Sequence, residues 1–261
     1  MYKCLLWLGL WLPCACLAET PFAGTWVVEP ELTTFSLRPL SFMIERGTYK
    51  RTSCVPYPEV PSDDQEHAIA GDPLISSMSV HLMDARRVEV TEKVSGKLVW
   101  KGDYAVSKDQ KSMTLKYQDH RASKAVSGTI QFEREGDVVA NAHLLSGAWT
   151  PEKLLELSPG GLTMKIQDTD NGLVMSASDG RGYDIKFDRQ DHPLTGYLDG
   201  ATVQVGRRAP QTLQVNRKQS GVLVEMSLGT VSGDGQPMML GQQDWQCRSK
   251  VTWTLRKQPT P

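Results

Sequence analysis

The residues of this 261-residue chain that could do chemistry are its five histidines, its cysteines and its scattered carboxylates. His67, His81, His120, His143 and His192 form no His-Glu-x-x-His pair, the spacing that sets two imidazoles on one helix face for zinc. His67 follows Asp63, Asp64 and Glu66, a mixture of oxygen and imidazole donors that suits a metal but reads more simply as a solvated acidic loop. His81 falls in the alternating segment Met78 to Met83 and reads as a strand surface position. No Gly-x-Ser-x-Gly elbow presents a serine nucleophile. Asp168-Thr169-Asp170-Asn171-Gly172 opens like a calcium loop, but Gly172 takes the fifth ligand position and no glutamate follows at the twelfth. Gly180-Arg181-Gly182 lacks the third glycine and the following helix of a dinucleotide site. These spacings supply no catalytic set, no metal set and no cofactor motif, so the expected protein is not an enzyme.

The cysteines carry a different message. Cys4, Cys14 and Cys16 lie in the first eighteen residues, where Lys3 precedes a short apolar run, Cys4 to Leu12, broken by Pro13. That is the layout of a secretory signal peptide cut near Ala18. The run falls short of the ~20 apolar residues of a membrane span, so no stable span is expected. Lipid attachment at Cys14 or Cys16 is a competing reading, although Pro13, Cys14 and Ala15 are a poor match to the usual triplet before a lipidated cysteine. Two cysteines then remain, Cys54 and Cys247. A pair in an oxidising compartment, periplasmic or extracellular, reads as one disulfide, with free thiols as the alternative. Without Lys3, 28 basic side chains stand against 30 acidic ones, and no basic block is present, which argues against nucleic acid as a partner.

The elements that must position any site come from a chain that contains itself twice. Residues 87–118 align without gaps on 212–243 with 12 identities in 32 positions, among them Val90/Val215, Gly96/Gly221, Val106/Val231 and Met113/Met238. Gly24-Thr25-Trp26 matches Gly147-Ala148-Trp149, and Phe42 to Glu45 resembles Met164 to Gln167. The copies span 21–135 and 142–257. Within each, charged and apolar residues alternate with a period of two, as in Arg87 to Val94, and Ser95-Gly96, Ser220-Gly221 and Asp170-Asn171-Gly172 supply turns. The expected fold is all-β: two tandem antiparallel barrels or sandwiches with minimal helix. The one helical candidate is a short turn over Pro151 to Leu157, capped by Thr150. Residues 55–76, with Pro56, Pro58, Pro61 and Pro73, read as a long loop.

The Gly-x-Trp starts resemble the opening motif of lipocalin-like barrels, in which the tryptophan packs across the closed end. The chain also resembles a group of secreted bacterial proteins with a Gly-Thr-Trp-x-x-x-Pro start (Gly24 to Pro30), a Val-Glu-Val-Thr-x-Lys-x-x-Gly-Lys segment (Val88 onward) and a Val-Ser-x-Asp segment leading to Met-Thr (Val106 to Thr114). The resemblance implies a barrel interior that either holds one small ligand or is filled by its own side chains. Trp26, Trp149, Trp100 and Tyr104 are the candidate interior contacts, with the methionines Met113, Met226, Met238 and Met239 around them. The functional expectation is a secreted binding protein for a hydrophobic small molecule or lipid. The alternative is a module that blocks another secreted protein through loops or sheet edges.

Overall fold

The computed structural model describes residues 20–259, so the expected leader and cleavage site, with Cys4, Cys14 and Cys16, lie outside the described residues. The described chain is built from strands, with 3₁₀ turns at Pro30–Leu32 and Pro159–Gly161. The first twelve strands are β1 (Gly24–Val28), β2 (Thr34–Leu37), β3 (Leu40–Glu45), β4 (Thr48–Arg51), β5 (Glu59–Pro61), β6 (His67–Ala68), β7 (Ser77–Asp84), β8 (Arg87–Val94), β9 (Lys97–Val106), β10 (Ser112–Asp119), β11 (Val126–Glu135) and β12 (Gly147–Leu157). The rest are β13 (Thr163–Thr169), β14 (Gly172–Ala177), β15 (Gly182–Lys186), β16 (His192–Pro193), β17 (Ala201–Ala209), β18 (Thr212–Gln219), β19 (Val222–Val231), β20 (Met238–Asp244) and β21 (Ser249–Lys257). All are joined antiparallel into two nearly closed, barrel-like sheets.

The alternation read from sequence sets which side chains face inward. On β8, Val88, Val90 and Glu92 are buried, while Arg87, Glu89 and Thr91 on the opposite face are not. The hairpins turn where small residues tolerate left-handed backbone: Ser95-Gly96 (φ 49° and 77°) and Ser220-Gly221 (φ 50° and 80°) occupy equivalent turns of the two copies. The two-residue hairpin at Asp170-Asn171 brings Thr169 opposite Gly172.

The barrels are not the two sequence copies. The first sheet runs β5-β4-β3-β12-β11-β10-β9-β8-β7-β6, and the second runs β15-β14-β13-β1-β21-β20-β19-β18-β17-β16, with β2 also on β21. The opening strand of each copy therefore closes the other copy's sheet. β12 follows β11 through a short connection and pairs back on it from Glu135/Ala148 to Gly128/Leu157, as sequential strands tend to. β1 fills the equivalent slot of the second barrel, between β13 and β21. Barrel one is thus residues 40–157. Barrel two is residues 20–37 with 159–257, offset by one strand from the copies at 21–135 and 142–257.

Two other local expectations are corrected. Pro151 to Leu157 is not helical but belongs to β12, where Leu154 is buried opposite Ile130. Pro151 stands at a register shift opposite Phe132, a place where a missing N–H is tolerated. Residues 55–76 are not loop throughout: Glu59–Pro61 and His67–Ala68 form β5 and β6 at the two ends of the first sheet, and the rest is loop.

The paired tryptophans anchor both barrels in the same way. Trp26 and Trp149 are fully buried, and each indole N–H donates to a carbonyl four residues back, Phe22 at 2.7 Å and Leu145 at 2.8 Å. A cation covers each ring, Lys257 on Trp26 and Arg134 on Trp149. The glycine of each motif makes room for it. Gly147 has φ 120°, and a Cβ there would stand 2.9 Å from Arg134 Nη1. Trp149→Phe keeps a ring but strands the buried Leu145 carbonyl. A loss of roughly 1–3 kcal/mol is expected in urea unfolding, and an unchanged midpoint would show that this hydrogen bond contributes nothing.

A disulfide joins Cys54, after β4 in barrel one, to Cys247, in the β20–β21 turn of barrel two. Beside it the Val55 N–H donates to the Gln246 carbonyl at 2.8 Å. Among the described residues no helix is long and apolar enough to cross a membrane.

Candidate functional site, a cavity in the second barrel

The two barrels share a design but not an interior. In barrel one, Phe42, Tyr49 and Tyr104 are buried and pack ring to ring, with centroids 5.2 Å apart for Phe42–Tyr104 and 5.9 Å for Phe42–Tyr49. Trp100 adds a fourth ring 6.2 Å from Tyr104. The 125-residue shift that aligns the copies puts Gly229 where barrel one has Tyr104, and Glu225 where it has Trp100. Strand register supplies a third exchange. Ile44 lies opposite Tyr49, and its counterpart Ile166 lies opposite Met175. Three large rings are therefore replaced by a glycine, a carboxylate and a flexible methionine.

The space left open is a cavity of about 370 Å³ inside barrel two. Its walls are apolar, drawn from strands all round the barrel: Met164, Met175, Val203, Leu213, Met238 and Leu255 among them. Its polar end is a cluster of charges. β18 supplies Arg217 and β19 supplies Glu225 directly opposite, a cross-strand pair standing where barrel one has Glu92 opposite Trp100. Arg217 Nη2 donates to Glu225 Oε2 at 2.9 Å. The turn after β14 supplies Asp179 and Arg181, joined at 2.6 Å. Tyr197 lies between the two guanidiniums, whose centres stand 5.0 Å (Arg217) and 5.8 Å (Arg181) from its ring.

Barrel one covers this end. Asp119 at the end of β10, Ala122 in the β10–β11 connection and Val126 at the start of β11 also line the cavity. The Ser123 N–H donates to the Gly196 carbonyl and the Lys124 N–H to the Asp179 carbonyl, both at 2.9 Å, which ties that connection to barrel two. Behind it, buried Glu92 accepts from Arg51 at 2.9 Å and from Arg121 at 2.8 Å. One barrel is thus filled, and it contributes part of the wall of the other. Comparison with known proteins finds no matching family model, curated protein or solved structure.

Electrostatics hold the Arg217–Glu225 pair in its ionised form. Burial works against the Glu225 carboxylate, but the Arg217 charge and hydrogen bond, with help from Arg181 and Gln242, outweigh it and hold the carboxyl below its ordinary value. Burial likewise opposes the Arg217 cation, and Glu225 more than offsets it. Burial pushes the nearby Asp244 carboxyl upward. These two carboxyls act on stability with opposite signs. Glu225 binds its proton more weakly folded than unfolded, so its contribution is present above the unfolded value of 4.5 and is lost as pH falls through the lower folded one. Asp244 binds its proton more tightly when folded, so its protonation on acidification favours the fold. Glu225→Gln isolates the first term. Urea midpoints followed from pH 6 to about pH 3 should fall less steeply below pH 4.5 in the variant than in the parent. Parallel curves would show that the pair does not stabilise the fold.

Of the residues singled out from sequence, Trp26 is in the core of barrel two, and Trp149, Tyr104 and Trp100 are in barrel one. None of the four lines the cavity. Met113 is buried in barrel one, Met238 lines the cavity, and Met239 is exposed. His67 and His81 each pair with a single carboxylate, Asp63 at 2.8 Å and Asp64 at 2.7 Å. Among the described residues no group of three or more histidines, cysteines or carboxylates is placed to hold a metal. Arg217 and Glu225 were not singled out, and Arg181 was weighed only as part of a dinucleotide-type glycine motif. The signal was present in the aligned copies, where a tyrosine and a tryptophan of the first face a glycine and a glutamate of the second.

Proposed function

We propose that the protein is a secreted binding protein that carries a hydrophobic small molecule inside its second barrel. The observation that carries this reading is the contrast between the interiors: barrel one packs Tyr104 and its neighbours, and barrel two opens at Gly229. A cavity of about 370 Å³ with an apolar wall and a few converging polar groups has the character of a small-molecule site. The leader read from sequence and the Cys54–Cys247 disulfide support a periplasmic or extracellular location. The paired Gly-x-Trp starts and near-closed sheets support a lipocalin-type origin. The first barrel serves as scaffold and cover.

A second reading, a module that docks on another secreted protein, draws on one observation. Val55, Tyr57 and Trp245 are exposed close to the inter-barrel disulfide. Titration with N-phenyl-1-naphthylamine, an uncharged apolar fluorophore, separates the two. The cavity reading expects saturable fluorescence with one site per chain. The docking reading expects no saturable signal, and that result would overturn the cavity reading.

A further inference from the structure

The charged end of the cavity allows the ligand's chemistry to be read from the hydrogen-bonding capacity it leaves unused. The carboxylates there are committed. Glu225 Oε1 accepts from Ser227 Oγ and Gln242 Nε2, both at 3.0 Å, and Oε2 accepts from Arg217. Asp179 is almost fully buried, and its two oxygens take the Arg181 N–H at 2.9 Å and the Arg181 Nε at 2.6 Å. The guanidiniums are not committed. Arg217 gives Nη2 to Glu225 and leaves Nε and Nη1 without an acceptor, shielded from solvent. Arg181 is held through its backbone N–H and Nε by Asp179, and among the described residues its two Nη groups find no acceptor. A guanidinium carries five N–H donors and accepts nothing. The Arg217 donors are unpaired and away from water, which is costly, whereas the Arg181 side chain is 33% exposed; a molecule that brings acceptors is therefore favoured there over one that brings more donors.

Volume restricts the other end. About 370 Å³ lies near the bottom of the roughly 300–1,000 Å³ range of ligand cavities. One chain fits such a space, and the paired chains of a bilayer lipid do not. Resting on the cavity reading above, we propose that the site takes a single-chain amphiphile whose polar end is an oxygen acceptor, its head against Arg181 and Arg217 and its tail among Met164, Met175 and Met238. A primary amine head meets the Arg181 and Arg217 cations, while the lining carboxylates Glu225, Asp179 and Asp119 already accept from neighbouring donors, Asp119 from Arg121.

The test is displacement of N-phenyl-1-naphthylamine from the full disulfide-bonded chain by dodecanoate, methyl dodecanoate and dodecylamine. Dodecanoate is expected to displace at a concentration at least about tenfold below dodecylamine, a ratio worth about 1.4 kcal/mol. The ester distinguishes the two sources of an acceptor oxygen. Displacement at the dodecanoate concentration assigns a neutral carbonyl, and displacement at a much higher concentration assigns a carboxylate; both support the acceptor head. Arg181→Met is expected to narrow the gap between dodecanoate and dodecylamine, with Arg217 still offering its two unpaired donors, and Arg181→Lys, which keeps donors and charge, to restore part of it. Arg208→Met, on the exposed end of β17, is expected to leave the ratio unchanged. Equal displacement by acid and amine in the parent protein would overturn the acceptor head while the cavity reading stands. Failure of the fluorophore to bind at all would overturn both.

Discussion

Gly229→Phe is expected to abolish saturable binding of the apolar fluorophore while barrel two still folds. A Cβ built on Gly229 meets only Leu240 Cδ1 and Met238 Sδ, both at 3.7 Å, which is ordinary contact. Gly229 is not among the residues with left-handed backbone, so a side chain can be added without conformational strain. Its counterpart Tyr104 shows where the ring goes, because in barrel one that position fills the interior. Phenylalanine is preferred to tyrosine as the probe, since a new hydroxyl inside the barrel would need a partner. Burying the ring in existing space contributes up to about 1.5–3 kcal/mol, less whatever neighbouring side chains lose by shifting. Binding by fluorescence and stability by urea unfolding are read on the same sample. A folded variant that binds the fluorophore as the parent does would show that the ligand does not enter this cavity.

The second large effect is expected from the Cys54→Ser, Cys247→Ser pair. The cross-link spans 193 residues, about four-fifths of the described chain, and thereby denies the unfolded chain many of its open conformations. The chain-entropy account gives about 5 kcal/mol for a loop of this length, an upper figure because real unfolded chains retain compactness. The folded state should survive the loss. β1 still closes the second sheet, and the hydrogen bonds of Ser123 and Lys124 still bridge the barrels. The urea midpoint is therefore expected to fall strongly without change in the circular dichroism of the folded baseline. A change below about 1 kcal/mol would mean that the cross-link hardly restricts the unfolded chain. Mass analysis under non-reducing conditions checks the premise, with no free thiol expected at either position.

Much of the fold is written in local pattern. Alternation along Arg87 to Val94 marks a half-buried strand because successive side chains must face opposite sides. Ser-Gly turns announce hairpins because few residues tolerate left-handed backbone in sequence. The internal repeat declares the architecture to be double, and the two cysteines beyond residue 18 leave one pairing between them. Pro151 to Leu157 misled because a cap, a proline and two leucines satisfy the local rules of a helix. Pairing with β11, invisible in that window, decided for a bulged strand. The exchange of β1 and β12 was not legible either. It rests on pairing of β1 with β13 and β21 and of β12 with β3 and β11, and those of β1 and of β3 with β12 are between residues far apart in the chain.

The site divides along the same line. The sequence by itself determined that Gly229 and Glu225 stand where Tyr104 and Trp100 stand in the first copy, a fact about residue types that needs no coordinates. The tertiary structure alone decided that these positions face inward together. It also decided that Met175 completes the vacancy from a strand far away in the chain, and that the β10–β11 connection of the other barrel covers its charged end. The reason is physical. Strand periodicity is a property of neighbours in sequence, whereas a cavity is a property of what is missing between residues brought together by closure of the sheet.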